Sequence, residues 1–188
     1  MSLPAMYFNY LRAGISIPVS VMPYLEKYLV IKRSVLPGAG KGLFTKVMIP
    51  KGTRIVEYRG QILTWKEVEK MADDRNGYVF FVNSKHVIDA WNYHKCLARY
   101  ANDAMGIGRQ PGVRNNAEYD VEKKRCYIKA TRDIPAGSEV LVSYGAEYWQ
   151  VIRHNIREEE KEIRKQGKSK KVALPHSHNV RQRKSKKR

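Results

Sequence analysis

The sequence predicts a mainly β fold with a few short helices, and three observations support it. Short runs rich in β-branched and aromatic residues recur along the chain, each bounded by glycine, proline or polar turn residues. Only two stretches carry a helical pattern, and no internal repeat is present. At 188 residues and 43% hydrophobic content, there is room for one domain with a real core and some tail.

Residues 1–27 contain aromatics together with Pro18 and Pro23 but no clear period, and read as a packed N-terminal arm. A body from 28 to 150 follows. Its first strand is Tyr28–Lys32, then a glycine-rich turn, Pro37-Gly38-Ala39-Gly40-Lys41-Gly42, after which Leu43-Phe44 resumes the chain. Ile49-Pro50-Lys51-Gly52 is a further turn before the strand Arg54–Tyr58. Thr64 with Glu67 three residues on is a capping-box pattern opening a short helix to about Met71, closed by Asp73–Gly77. Tyr78–Val82 and His86–Ala90 read as two strands joined by the polar turn Asn83-Ser84-Lys85. Gly106–Asn116 reads as a loop, and Arg125–Ala130 as another strand.

The stretch Asp133–Trp149 organises the rest. It opens on the turn Pro135-Ala136-Gly137, alternates through Val140, Val142 and Tyr144, breaks at Gly145, and ends in Tyr148 and Trp149. Trp149, Ile152, Ile156 and Ile163 then fall at helical spacing, giving a C-terminal helix over 151–166 with Gly167 as its stop. Residues 167–188 are polar and poor in apolar side chains, and are expected to be disordered.

The 36 basic and 18 acidic residues leave a net charge of +18, which points to an acidic partner or to handling of basic peptides. The tail alone holds nine Lys/Arg and no acid, so half of the excess lies there and the body is only moderately basic. Its clusters Lys168–Lys171 and Arg181–Arg188 have three readings: a bipartite nuclear-import signal, a flexible polycation contacting nucleic-acid phosphate through 168–188, or a solubilising tail. Cys96 and Cys126 are too few for a disulfide scaffold or a four-thiolate zinc site, which fits a reducing, intracellular compartment. His86, His94 and His154 are scattered, so no metal site is expected. The apolar run Ala13–Met22 is short and interrupted by Pro18, so it reads neither as a membrane span nor as a signal peptide.

Five segments in order resemble the SET domain, the fold of most protein-lysine methyltransferases. They are Gly40-Lys41-Gly42 with Leu43-Phe44; Ile55-Val56-Glu57-Tyr58-Arg59-Gly60; Ile88-Asp89-Ala90; Ala98-Arg99-Tyr100-Ala101-Asn102-Asp103; and Ala130–Ile134 with Gly137–Leu141, leading to Tyr144. The ending Val142–Trp149 is similar to the compact viral-type members, which lack zinc-binding flanks. The resemblance implies a β-clip of small antiparallel sheets with a C-terminal pseudoknot, in which the last segment threads beside Asn102 and brings Tyr144 next to it.

It further implies S-adenosylmethionine as methyl donor, S-adenosylhomocysteine as product, and a lysine-bearing protein, such as a histone tail, as substrate in the nucleus. In-line methyl transfer needs alignment and little acid–base machinery. By the resemblance Tyr144 is the catalytic tyrosine. The cofactor falls to Gly40, Lys41, Gly42, Arg99, Tyr100, Asn102, Asp103, Tyr144 and Trp149. Trp149 would stack on the adenine or cap the core, and Arg99 and Asp89 also read as structural ties between strands. Tyr78, Val142 and Tyr148 are candidate walls of the lysine channel, where aromatic faces suit an ammonium losing its water. Val142 stands where a larger aromatic is frequent, leaving room for higher methylation. Compact members work as dimers, so a homodimer follows from the resemblance alone. Asp103 replaces the usual histidine at a position that acts through its backbone, Ala104-Met105 replaces the usual Ser-Cys, and Gly106–Asn115 resembles an insertion. A rival from another class is a non-catalytic module that binds chromatin or nucleic acid through its tail.

Overall fold

The computed structural model describes residues 25–71 and 77–165, so most of the arm, the segment 72–76 and the basic tail lie outside the described residues. Three small antiparallel sheets make up the body. Strands β1 (Leu29–Arg33) and β2 (Lys41–Thr45) form a two-stranded ribbon across the glycine-rich turn. In the second sheet β8 (Arg125–Ala130) lies between β3 (Arg54–Tyr58) and β7 (Ala117–Glu122). In the third, β6 (His86–Asp89) lies between β4 (Gln61–Leu63) and β5 (Val79–Asn83). Thus β5 and β7 are both edge strands. The short helix α1 (Trp65–Val68) opens as its cap predicts, with the Glu67 carboxylate accepting the Thr64 N–H at 2.6 Å. Beyond Val68 only turn hydrogen bonds continue to Met71.

Strands Arg54–Tyr58 and Arg125–Ala130 occur as the sequence predicts, and two others are displaced by a single residue. Strands β3 and β8 bury Ile55, Val56, Cys126 and Ile128 almost completely, because each is covered on both faces. Strands β2, β4 and β7 have no counterpart in the sequence reading. Two of them contain glycine or charged residues, and the third is three residues long, so pairing rather than propensity makes them strands.

The predicted strand through Val140–Tyr144 is instead a threaded segment. Leu141 bridges Asn102 in parallel, Val142 bridges Ala117 in parallel, and Glu139 bridges Phe44. The Val142 N–H bonds to the Asn102 carbonyl at 2.8 Å, and the Ala117 N–H bonds to the Leu141 carbonyl at 3.0 Å. The segment therefore runs between two others already laid down, which is the predicted pseudoknot. Helix α2 (Ala146–Lys165) begins five residues earlier than 151, directly after Gly145, whose φ of 90° makes the turn between threaded segment and helix. No described helix is long and apolar enough to cross a membrane.

Candidate active site

Two adjoining features converge on Tyr144. The first is a polar cradle around Asn102, which lies at the end of the 3-10 turn Leu97–Tyr100 and is 0% exposed. Its Nδ2 donates to the Lys41 carbonyl at 3.0 Å and to Glu139 Oε1 at 2.9 Å, while its buried Oδ1 has no partner among the described residues. Glu139, 5% exposed, also accepts from the Ser34 hydroxyl and the Val35 N–H. Glycine at 42 leaves room for this carboxylate, because a Cβ there would overlap Glu139 Oε1 and force it to shift. Gly40 turns the ribbon with φ 70°. Thus the predicted Gly40–Gly42 and Asn102 segments do meet, joined by Glu139.

The second is a cleft of about 540 Å³. Its walls include Phe80 and Phe81 from β5, Tyr119 from β7, Tyr58 from the end of β3, and Tyr144 and Tyr148, with the exposed Glu147 at the rim. The edge strands β5 and β7 thus flank it. Tyr144 turns part of its ring to the cleft and donates its hydroxyl to the Ala101 carbonyl at 2.7 Å, immediately beside Asn102. That contact ties cleft and cradle together.

Asp103 lies beneath both. Its Oδ1 accepts from the Met105 N–H and Asn115 Nδ2, and its Oδ2 from the Tyr144 N–H and Trp149 Nε1, all at 2.8 Å. Four donors satisfy a buried carboxylate, so the aspartate is held by its side chain and not by backbone alone. Trp149, 7% exposed, stacks on Tyr144 at an interplanar angle of 14°. A Cβ on Gly106 would strike its ring at 2.5 Å, so Gly106 packs directly against the indole.

The other expected residues sit further back. Arg99 is fully buried, with its guanidinium 4.1 Å from the Tyr78 ring centroid and Nη1 2.6 Å from His94 Nδ1. Tyr100 lies beside the same guanidinium. Tyr78 packs edge-on against Trp91 and accepts the Tyr58 hydroxyl on its carbonyl at 3.0 Å. It therefore backs the wall that Tyr58 forms. Val142 is fully buried in the threaded segment. Of the three candidate walls, Tyr148 is the one lining the cleft.

Tyr58, Phe80 and Tyr119 escaped sequence reasoning because β7 was not legible and Tyr58 and Phe80 looked like ordinary strand residues. Glu139 left one signal, an acid standing at the head of the apolar run Val140-Leu141-Val142.

Electrostatics set the protonation states. Burial pushes the phenols of Tyr58, Tyr119, Tyr144 and Tyr148 above the usual value, so all four are neutral hydroxyls near neutral pH. For Tyr148 the Asp103 carboxylate adds to the effect. Behind the cleft, hydrogen bonds from Arg125 and then Arg59 hold Glu57 below the usual carboxylate range, tying β3 to β8. Among the described residues no His/Cys/Asp/Glu cluster has the makings of a metal site.

Such an architecture, with a threaded segment delivering a tyrosine to an asparagine cradle, defines a class. Residues 40–145, more than half of the chain, match the SET domain model, and the chain belongs to the SET-domain family. It is similar to the histone-lysine N-methyltransferase set-1 of Caenorhabditis elegans, 27% identical over 139 residues, covering 69% of this chain and 55% of the relative. It is also similar to the histone-lysine N-methyltransferase mes-4 of the same worm, 29% identical over 118 residues, covering 56% of this chain and 13% of the relative. The histone-lysine N-methyltransferase EZH2 of Chaetomium thermophilum is 27% identical over 146 residues, covering 71% of this chain and 9% of the relative. The chain thus spans about half the length of set-1 and a small part of the other two.

Proposed function

We propose that this chain is an S-adenosylmethionine-dependent protein-lysine N-methyltransferase acting on a histone tail or another basic chromatin protein in the nucleus. One observation carries the reading. The Tyr144 hydroxyl is anchored on the Ala101 carbonyl, where an aromatic cleft meets a cradle whose asparagine oxygen is buried and unpartnered among the described residues.

The residues fit the cofactor. An orphaned acceptor such as Asn102 Oδ1 costs about 1–3 kcal/mol and is relieved by a donor such as an amino-acid ammonium. Asn102 and the 40–42 ribbon would hold that group. When bound, it supplies an electrophilic methyl on sulfur. The rest is the work of this chain's residues. The aromatic walls accept an aliphatic cation, and Glu147 at the rim attracts its charge. An extended peptide suits the outer edge of β5 and the part of β7 beyond Ala117, which pair with no other strand among the described residues. Tyr144, with a raised pKa, stays neutral and presents oxygen rather than phenolate, so it orients the reacting groups and takes no proton. None of the four tyrosines is a ready base, so the amine deprotonates as it leaves water for the cleft. The relatives' names supply the substrate class, and the basic tail supports nuclear location.

Isothermal titration of the purified chain with S-adenosylmethionine tests the reading. Stoichiometric binding that is lost in Asn102→Ala, followed by methyl transfer to histone peptides that is lost in Tyr144→Phe, is the expected result. Absence of binding at millimolar cofactor would overturn it and favour a non-catalytic module acting through its tail.

A further inference from the structure

We propose that Glu139 is a positioning residue that locks the Asn102 amide with its oxygen toward the cofactor's ammonium. The inference rests on the reading above and deepens it.

An asparagine amide can face either way, and only its neighbours decide which end is nitrogen. Here one end of Asn102 lies 3.0 Å from the Lys41 carbonyl oxygen and 2.9 Å from Glu139 Oε1. A carbonyl oxygen only accepts, and so does an ionised carboxylate. That end must therefore be Nδ2, and Oδ1 is turned to the opposite side, where it is buried without a donor among the described residues. Were Glu139 absent, the Lys41 carbonyl alone would hold the orientation. The unmet demand of Oδ1 for a donor would then pull the amide toward other contacts.

Glu139 is itself held still. Ser34 Oγ lies 2.8 Å from Oε1 and 3.0 Å from Oε2, and the Val35 N–H donates to Oε2 at 2.8 Å. These donors come from the two residues that follow β1, so the turn of the ribbon, the threaded segment and the Asn102 segment meet at one carboxylate. The side chain is 5% exposed and has no ion pair among the described residues. A buried anion without a cation is costly. A ligand ammonium on the far face of Asn102 lowers that cost through the intervening amide. Gly42 belongs to the same device, since any side chain there would evict the carboxylate from its place.

Glutamine at 139 leaves at best a neutral acceptor in place of the charged one. Its amide nitrogen must face either the Val35 N–H, which then loses its acceptor, or Asn102 Nδ2, in which case Asn102 turns over, forfeits its bond to the Lys41 carbonyl and meets the ammonium with its own N–H groups. A purely architectural role would weaken all ligands alike. A positioning role weakens only those that carry the ammonium.

The test compares S-adenosylhomocysteine with its deamino counterpart, in which the α-carbon carries hydrogen in place of the ammonium. Calorimetry is run on wild type and Glu139→Gln at neutral pH. Wild type should prefer the ammonium-bearing ligand. In Glu139→Gln its affinity should fall roughly tenfold or more, as expected for a charge-assisted contact, while the deamino ligand changes by less than about threefold. Equal losses for both ligands, or none for either, would overturn the positioning role. Failure of wild type to bind either ligand is a different outcome, and it removes the functional reading together with this inference. Should Glu139→Gln not fold, Ser34→Ala loosens the carboxylate more gently, and the preference ratio should fall about threefold. An unchanged ratio in that variant would overturn the proposal equally.

Discussion

Replacing Asp103 by asparagine exchanges one oxygen for NH2 and is the sharpest probe of how the site is held. Four donors reach the carboxylate at 2.8 Å, two on each oxygen. The amide retains one acceptor, so two hydrogen bonds are lost and two buried N–H groups face another donor. Hydrogen bonds to charged groups contribute about 1.5–3 kcal/mol each, which places the gross loss at about 3–6 kcal/mol. Asn115 can relieve part of it by turning its own amide, but it then forfeits the bond its Oδ1 accepts from the Ala104 N–H at 2.8 Å. A net loss of about 3–4 kcal/mol is therefore expected, or roughly 10–15 °C in Tm for a domain of this size. Thermal unfolding followed by near-ultraviolet circular dichroism reads it, because the Tyr144–Trp149 stack lies directly on this carboxylate. Trp149→Phe removes a single donor, and in combination with Asp103→Asn it should show coupling of about 1–2 kcal/mol. A fall in Tm below about 3 °C, with an unchanged aromatic spectrum, would refute the claim that the carboxylate organises the segment.

Tyr144→Phe should abolish methyl transfer to a histone peptide while costing only about 1 kcal/mol of stability, since one hydrogen bond to the Ala101 carbonyl is lost. Partial activity above a tenth of wild type would contradict its assigned place. Gly42→Ala should destroy cofactor binding in calorimetry, because the new methyl overlaps Glu139 Oε1, and wild-type affinity would show that the ribbon yields freely. The buried tyrosines make stability fall in alkali. Their folded pKa values are raised, so the contribution is complete below the unfolded value of about 10 and drains away as pH rises beyond it. A melting temperature that holds constant from about pH 9 to about pH 11 would be inconsistent with that burial. The methylation rate should climb from about pH 7 to about pH 9 because a free lysine is only about four parts in ten thousand neutral at the lower end. A flat profile would mean that deprotonation of the amine does not limit the reaction.

Local pattern carried much of the architecture. Arg54–Tyr58 and Arg125–Ala130 are dense in β-branched and aromatic side chains and needed no partner to be recognised, and the Thr64–Glu67 cap announced its helix. The order of the Gly40–Gly42, Asn102 and Tyr144 motifs was enough to indicate the family, because each motif is contiguous in sequence. Strands β2 and β7 were invisible, since Lys41-Gly42 and Glu118–Glu122 become strand only through neighbours far along the chain. For the same reason Tyr119 could not be placed in the cleft.

What the sequence determined by itself, then, is what short-range chemistry can encode: the mainly β class, the turns, one cap and the motif set of a SET domain. Only the tertiary structure decided which groups share a buried volume. It turned Tyr78 behind the cleft wall, carried Arg99 into the core, and made Asp103 a four-donor anchor. It also set Glu139 beside Asn102, although the two lie 37 residues apart. Hydrogen-bond satisfaction of a buried polar group is a property of its whole shell. That shell is assembled here by threading residues 139–142 between two segments that are distant in sequence.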